Sequence, residues 1–294
     1  MLKKTLPLIL LTSVFVFILI ACNEVNGPQR DSFLAEKNNS FETIDSDLFL
    51  LKEGGMDIDA SAGIFSIGWN EIFRPFDDER HIMGMAFAVA FGGSNDRHKF
   101  GLNMGSVFIN YGNHNVELHK KTNERRGTMY SLFKRPFGDS DQLLEFIPNA
   151  EYQFEVTGSG RFSPITLSLT SPDALMDITS HDHGNVIDPT QDLTVTWEGG
   201  NADGKVAVRL MPFSLRKKGR KDRLHFDHII FEILDTNTGE YTFRAERIQE
   251  LLNRVDARHF VLGVSQMDFG EVEHDNGILH TAMRNGNSVK LLVE

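Results

Sequence analysis

The sequence predicts a mainly all-β protein built from two β-sandwich-like domains, and three observations carry that reading. Apolar runs of five to nine residues alternate with period two, as at Met83, Met85, Phe87, Val89 and Phe91. Gly, Asn and Asp clusters punctuate these runs at short intervals. The aromatics are 23 Phe against 4 Tyr and 2 Trp, and Phe carries no polar tip, so the bias suits buried cores.

The chain starts with Lys3 and Lys4, followed by an apolar run from Leu6 to Ala21 broken only by Pro7, Thr12 and Ser13. A positive start, a short apolar core and small residues make up the pattern of a secretory leader, here residues 1–21. The run is slightly short for the roughly 20 residues of a membrane-spanning helix. It ends Leu19-Ile20-Ala21-Cys22, and that cysteine is the only one in the chain. This ending resembles the lipobox of bacterial lipoproteins. The resemblance implies cleavage after Ala21, a diacylglyceryl group on the Cys22 sulfur and further acylation, palmitate for example, at the new N-terminus. Two or more acyl chains hold a protein stably at a membrane, where one holds it only marginally. In enterobacteria-like systems an aspartate after that cysteine retains lipoproteins at the inner membrane. Asn23 stands there instead, which implies the outer membrane where the source has one and leaves the facing open.

Residues 22–45 are polar, with Asn, Ser and Glu and little periodicity, and read as a tether. Fully extended, it would reach about 70 Å at ~3.3 Å per residue. Removing Lys3 and Lys4 with the leader leaves 28 Lys+Arg against 41 Asp+Glu, a net charge of −13. That sign excludes a general nucleic-acid binder. Lipidation of Cys22 would leave no thiol, so the fold must rest on its core.

Residues 46–158 read as an N-terminal β domain. Met83 to Phe91 has no polar interruption, so both faces are covered and the strand is central. The spans Leu102–Ile109, Thr128–Phe133 and Tyr152–Val156 repeat the habit. Gly158 to Pro164 (Gly158-Ser159-Gly160-Arg161-Phe162-Ser163-Pro164) is the expected domain boundary.

Residues 162–294 read as a second β domain. Leu193, Val195 and Trp197 point one way and Thr194 and Thr196 the other. Gly199 to Gly204 turns the chain into Val206, Val208 and Leu210, and a second hairpin is expected through Asp235 to Gly239 into Tyr241 and Phe243. Ile248, Leu251, Leu252 and Val255 fall at helical spacing and predict one short helix. Phe260–Met267, Ile278–Ala282 and Val289–Val293 supply three closing strands. A strand-rich unit of about 130 residues with one helix fits an immunoglobulin-like sandwich. Ser171-Pro172, Gly184, Asp188, Asp192 to Trp197 and Gly204 to Val208 also resemble the C-terminal Ig-like modules of uncharacterised bacterial envelope lipoproteins. What that resemblance implies is a fold, which does not by itself give a function.

Candidate chemistry is sparse. His181 and His183 would share one face of an extended segment, with Asp177, Asp182 and Asp188 near in sequence, and could start a metal site for an envelope enzyme. A metal needs three or four ligands at set distances, so the same residues also fit a plain polar loop. Arg216, Lys217, Lys218, Arg220, Lys221 and Arg223 place six basic residues in eight within an acidic protein. They read as a contact for an acidic ligand or envelope partner, or as a solvated loop. Asp235 to Gly239 with Glu246 mimics a calcium loop, but its glycine falls at the fifth place and the turn geometry fails. There is no nucleophile elbow, phosphate loop or zinc-protease motif. The expectation is therefore a protein with no cofactor beyond the lipid on Cys22, held at a membrane, with a structural or binding role.

Overall fold

In a computed structural model, residues 61–73, 80–92, 101–124, 127–133, 144–212, 229–254 and 258–294 are described below. All belong to one compact unit, Leu51–Glu294. Its strands in chain order are β1 (Gly63–Phe73), β2 (Arg80–Ala90), β3 (Val107–Tyr111), β4 (His114–Glu117), β5 (His119–Asn123), β6 (Gly127–Phe133), β7 (Glu151–Val156) and β8 (Ile165–Thr170). There follow β9 (Asp177–Ile178), β10 (Val186–Ile187), β11 (Leu193–Glu198), β12 (Lys205–Pro212), β13 (Ile230–Leu234), β14 (Glu240–Phe243), β15 (His259–His274) and β16 (Gly277–Val293). The helix α1 (Ala245–Arg254) lies between β14 and β15. The chain is mostly β, as its period-two runs predict.

A nine-stranded sheet in the order β13-β12-β15-β16-β1-β2-β6-β5, with β10 also on β16, forms one layer throughout. Two smaller sheets, β4-β3-β7-β8 and β14-β11-β9, pack against it. The first core lies under the four-stranded sheet. Phe65, Ile67 and Trp69 of β1 and the small Ala86, Ala88 and Ala90 of β2 meet Val107, Ile109, Tyr152 and Phe154 there. The alanines leave room for large rings: Phe65 meets Phe154 edge-on at 5.4 Å, and Trp69 meets Tyr152 at 5.0 Å. The Trp69 indole N–H donates to the Leu144 carbonyl at 3.2 Å, so this buried ring keeps its one donor paired. Met85 and Phe87, on the other face of β2, are also buried, the double coverage expected of that run.

The second core lies under the three-stranded sheet. Val195, Trp197 and Phe243 meet Val208, Leu210, Phe260, Leu262 and Leu291, and Ile248 and Leu251 of α1 close the open end. The helix starts because Asp192 Oδ1 accepts the Ala245 N–H at 2.8 Å, supplying a cap from a distant loop. In this half β9, β11 and β14 form one sheet, while β13, β12, β15, β16 and the parallel β10 belong to the other. The chain crosses between sheets as an immunoglobulin-like Greek key does.

Three expectations are corrected. The turns at 199–204 and 235–239 do not close hairpins. The first leads from β11 to β12 and the second from β13 to β14, each crossing between sheets. The Asn237 side chain decides the second, accepting from the Trp197 indole at 2.8 Å and donating to the Gly199 carbonyl at 2.9 Å. Gly158 to Pro164 is the connection of the β7–β8 hairpin, with both strands and Phe162 in the first core. The strands expected at 278–282 and 289–293 are one 17-residue strand, β16.

That merger matters most. β15 and β16 pair over their full lengths, His259 with Leu292 through His274 with Gly277. Leu279 and Met283 belong to the first core, and Val289 and Leu291 to the second. At the hairpin's far end, His274 stacks on Phe162 at 4.4 Å and Asp275 accepts from the Ser163 hydroxyl at 2.8 Å. One Trp sits in each core, which allows separate optical reporters. In urea unfolding, Trp69→Phe and Trp197→Phe variants are expected to report one midpoint each after correction for their own stability. Leu279→Ala should lower both midpoints together, a loss of about 2–5 kcal/mol in unfolding free energy. Separated transitions would show that the cores unfold independently.

Candidate functional site

The segment holding His181 and His183 is the connection by which the chain leaves β9 in one sheet and enters β10 in the other. It is tied backbone to backbone. Gly184 N–H donates to the Lys290 carbonyl at 2.7 Å, and Leu292 N–H donates to the Asn185 carbonyl at 2.8 Å. His183 Nδ1 accepts the Lys290 N–H at 3.0 Å, making this imidazole part of the seam with β16. His181 Nδ1 instead faces the Ser180 hydroxyl at 2.7 Å. Partial burial pulls the His181 pKa below its ordinary value, against the opposing pull of Asp182. The neutral ring is thereby favoured near neutral pH.

The neighbouring carboxylates serve other partners. Asp188 accepts from the hydroxyl and the N–H of Thr190, which hold its pKa below the usual carboxylate range. Asp177 accepts from Asn287 at 3.1 Å. The two histidines therefore have different partners. Among the described residues no three His, Cys, Asp or Glu side chains gather to hold a metal ion. Cys22, the basic run Arg216, Lys217, Lys218, Arg220, Lys221 and Arg223, and Arg125 and Arg126 lie outside the described residues. Lys120, in the edge strand β5, is exposed and donates to Asn103 Oδ1 at 2.7 Å.

A denser polar constellation, absent from the motifs, lies on β15 and β16 between the two cores. Gln266 and Asn285 stand directly opposite each other in the ladder. Asn285 Oδ1 accepts the Met176 N–H at 2.9 Å and its Nδ2 donates to the Ala174 carbonyl at 3.0 Å. Gln266 makes the same reciprocal pair with Asn201, accepting its N–H at 2.7 Å and donating to its carbonyl at 2.5 Å. Asn287 Nδ2 donates to Glu71 Oε2 at 2.7 Å and to Asp177 Oδ1 at 3.1 Å. Gln266 and Asn285 are 1% and 2% exposed, a burial that only satisfied polar groups tolerate cheaply, and Asn287 beside them is 5% exposed. The 199–204 turn approaches so closely that a Cβ at Gly204 would lie 2.0 Å from Gln266 Nε2.

Asp268 joins the same row and accepts from Asn201 Nδ2 at 3.1 Å. Desolvation raises its pKa above the ordinary carboxylate value, with the Asn201 hydrogen bond opposing. At Gln266 and Asn285 the constellation clamps backbone, and at Asn287 and Asp268 it joins side chain to side chain. It fastens the β8–β9 connection and the 199–204 turn to the long hairpin. One signal was present in the sequence: Asn285 and Asn287 continue the period-two row of Leu279, Thr281 and Met283 into Val289 and Leu291.

No family model and no curated protein matches this chain. Solved structures similar to it include fibronectin(III)-like modules of Clostridium thermocellum CbhA, at 12% identity over 81% of this chain and 92% of that one, with a TM-score of 0.23. The N-terminal Ig1-2 module of the Drosophila receptor protein tyrosine phosphatase DLAR is 10% identical over 72% of this chain and 90% of that one, at 0.25. The chicken CNTN1 FN1-FN3 domains are 9% identical over 71% and 60%, at 0.18. The fold assignment rests on the strand pairing itself.

Two outcomes test the junction. Asn285→Ala leaves a buried N–H and a buried carbonyl unpaired and should lower stability by about 2–4 kcal/mol in urea titration. Asp268 binds its proton more tightly when folded. Its contribution to stability is therefore full below the ordinary carboxylate pKa and is lost as pH rises through the raised value. Asp268→Asn should match or exceed the wild type in stability at about pH 7 and lose any such advantage near about pH 3. A less stable Asp268→Asn at neutral pH would refute the desolvation account.

Proposed function

We propose that the protein is a lipid-anchored component of the cell envelope, at the outer membrane where the source has one, with a structural or partner-binding role. The observation that carries this reading is the sequence of residues 1–22. Two lysines, an apolar run and Leu19-Ile20-Ala21 lead into the only cysteine of the chain. The polar residues 22–45 then serve as a spacer between bilayer and folded unit. The net negative charge keeps nucleic acid from the list of partners and leaves proteins or other envelope components.

The folded unit supports a binding or structural role by its build. Among the described residues, Gln266 and Asn285 hold strands and turns together, and Nδ1 of His181 and of His183 faces a hydroxyl and a backbone amide respectively. An acidic partner would be engaged by the charges of the basic run Arg216 to Arg223.

Metabolic labelling with a clickable palmitate analogue tests the anchor. Full-length protein should take up label and fractionate with membranes, and Cys22→Ala should lose both. Labelling that persists in Cys22→Ala, or membrane association without label, would overturn the lipid-anchor reading. A six-fold replacement of the basic residues 216–223 by Ser should abolish any salt-sensitive capture of acidic envelope components. Capture that is insensitive to salt would remove the basic run from the account.

A further inference from the structure

We propose that the parallel pairing of β1 with β16 is a shear clamp, by which the folded unit carries tension between the chain entering β1 and the far end of β16. Its use in the cell rests on the N-terminal anchoring proposed above. The clamp itself rests only on strand direction and register.

Among the described residues, β1 is the first strand and β16 the last, and they lie side by side in parallel. Gly63 pairs with Leu279 and Asn70 with Gly286, eight residue pairs in all. Because the strands run the same way, the start of β1 and the end of β16 point to opposite ends of the sheet. From the level of Gly63 to Val293 the distance along β16 is roughly 45 Å at ~3.3 Å per residue. Tension applied at these two points therefore runs along the strands and slides β1 past β16. All the hydrogen bonds between them are stressed together, where a peeling load would break them one after another.

The rest of the sheet backs the clamp. β1 is also paired on its other edge, with β2 from Gly63–Ala90 to Phe73–Arg80. Pulling β1 along its own axis must shear that ladder as well. β16 lies between β15 on one edge and β1 and β10 on the other, so its end cannot leave without shearing the full-length β15 ladder. β10 adds a second parallel pair at the end of β16, Val186 with Leu292 and Ile187 with Val293. Side chains lock the slide direction too. Phe65, Ile67 and Trp69 of β1 and Leu279 and Met283 of β16 are buried in the same core, and moving one row past the other would require that core to open.

An edge load meets a different resistance. Met85 to Ala88 of β2 pair with Phe133 to Tyr130 of β6, and β6 pairs with the short outer strand β5. This places the exposed Glu124 turn at the same end of the sheet as Gly63, with tension between them acting across the strands. That geometry peels β5 and β6 from the edge pair by pair.

Single-molecule pulling on the full-length chain compares the two directions within one folded protein. Handles at the two chain ends load the clamp, whereas handles at the N-terminus and at Glu124→Cys load the edge, with Cys22→Ser in both to leave one site for each handle. Rupture force at the same loading rate should be at least about two-fold higher between the chain ends, since the ladders on β1 break together there. The end-to-end trace should also show no lengthening of the β-unit before that rupture. Equal or lower force between the ends, or stepwise lengthening ahead of the main rupture, overturns the clamp. Such a failure would leave lipid labelling of Cys22 unaffected, and loss of labelling would leave the rupture forces unaffected.

Discussion

The structure depends on the ladder between β15 and β16. Strands of globular proteins usually run five or six residues, and these run 16 and 17. The extra length lets one hairpin supply walls to two apolar cores. Leu262 and Leu291 line one core, and Leu279 and Met283, farther along the same ladder, line the other. Each core therefore lends stability to a strand the other requires. Neither sandwich has a complete sheet without it.

A hairpin this long has a weakness where the two cores leave a gap. An apolar row there would leave the facing backbone groups of Asn201, Ala174 and Met176 unpaired, and a wholly charged row would pay the penalty of burying ions. The row instead carries the neutral amides of Gln266, Asn285 and Asn287. Each amide presents a donor and an acceptor as a peptide group does. Gln266 and Asn285 accordingly pair with backbone groups at Asn201 and at Ala174 and Met176. The gap becomes an attachment point for the chain that passes between the sandwiches. A one-residue slip of β16 would turn Asn285 and Asn287 to the opposite face, away from Ala174 and Met176 and from the Glu71 and Asp177 carboxylates, so the row also helps fix register.

The same continuity governs how force and stability pass through the molecule. The ladders that join the cores run along the direction in which tension would travel from one end of β1 to the other end of β16. Thermal or chemical unfolding and mechanical extraction therefore meet the same elements in different order. The histidine connection plays a supporting part, with His183 stitched to the Lys290 N–H and the neighbouring β10 placed on the edge of β16.

Local chemistry was enough to read much of this from the sequence. The alternation of Met83 to Phe91 determined a doubly covered strand, the spacing of Ile248, Leu251 and Leu252 a helix with one buried side, and the Lys3-to-Cys22 pattern the anchor expectation. These follow from the period of side-chain direction along a strand or helix, which a short window contains. The tertiary structure decided what such windows omit. Arg284 to Ser288 reads as a polar break, yet it is mid-strand because Asn285 and Asn287 find partners more than a hundred residues away. Asp235 to Gly239 reads as a hairpin turn, yet Asn237 bonds to Trp197 and Gly199, and the strands on either side join different sheets. His181 and His183 read as a possible ligand pair, yet backbone and hydroxyl partners separate their roles. A polar side chain states what bonds it can make, and only the folded chain decides which group is close enough to make them.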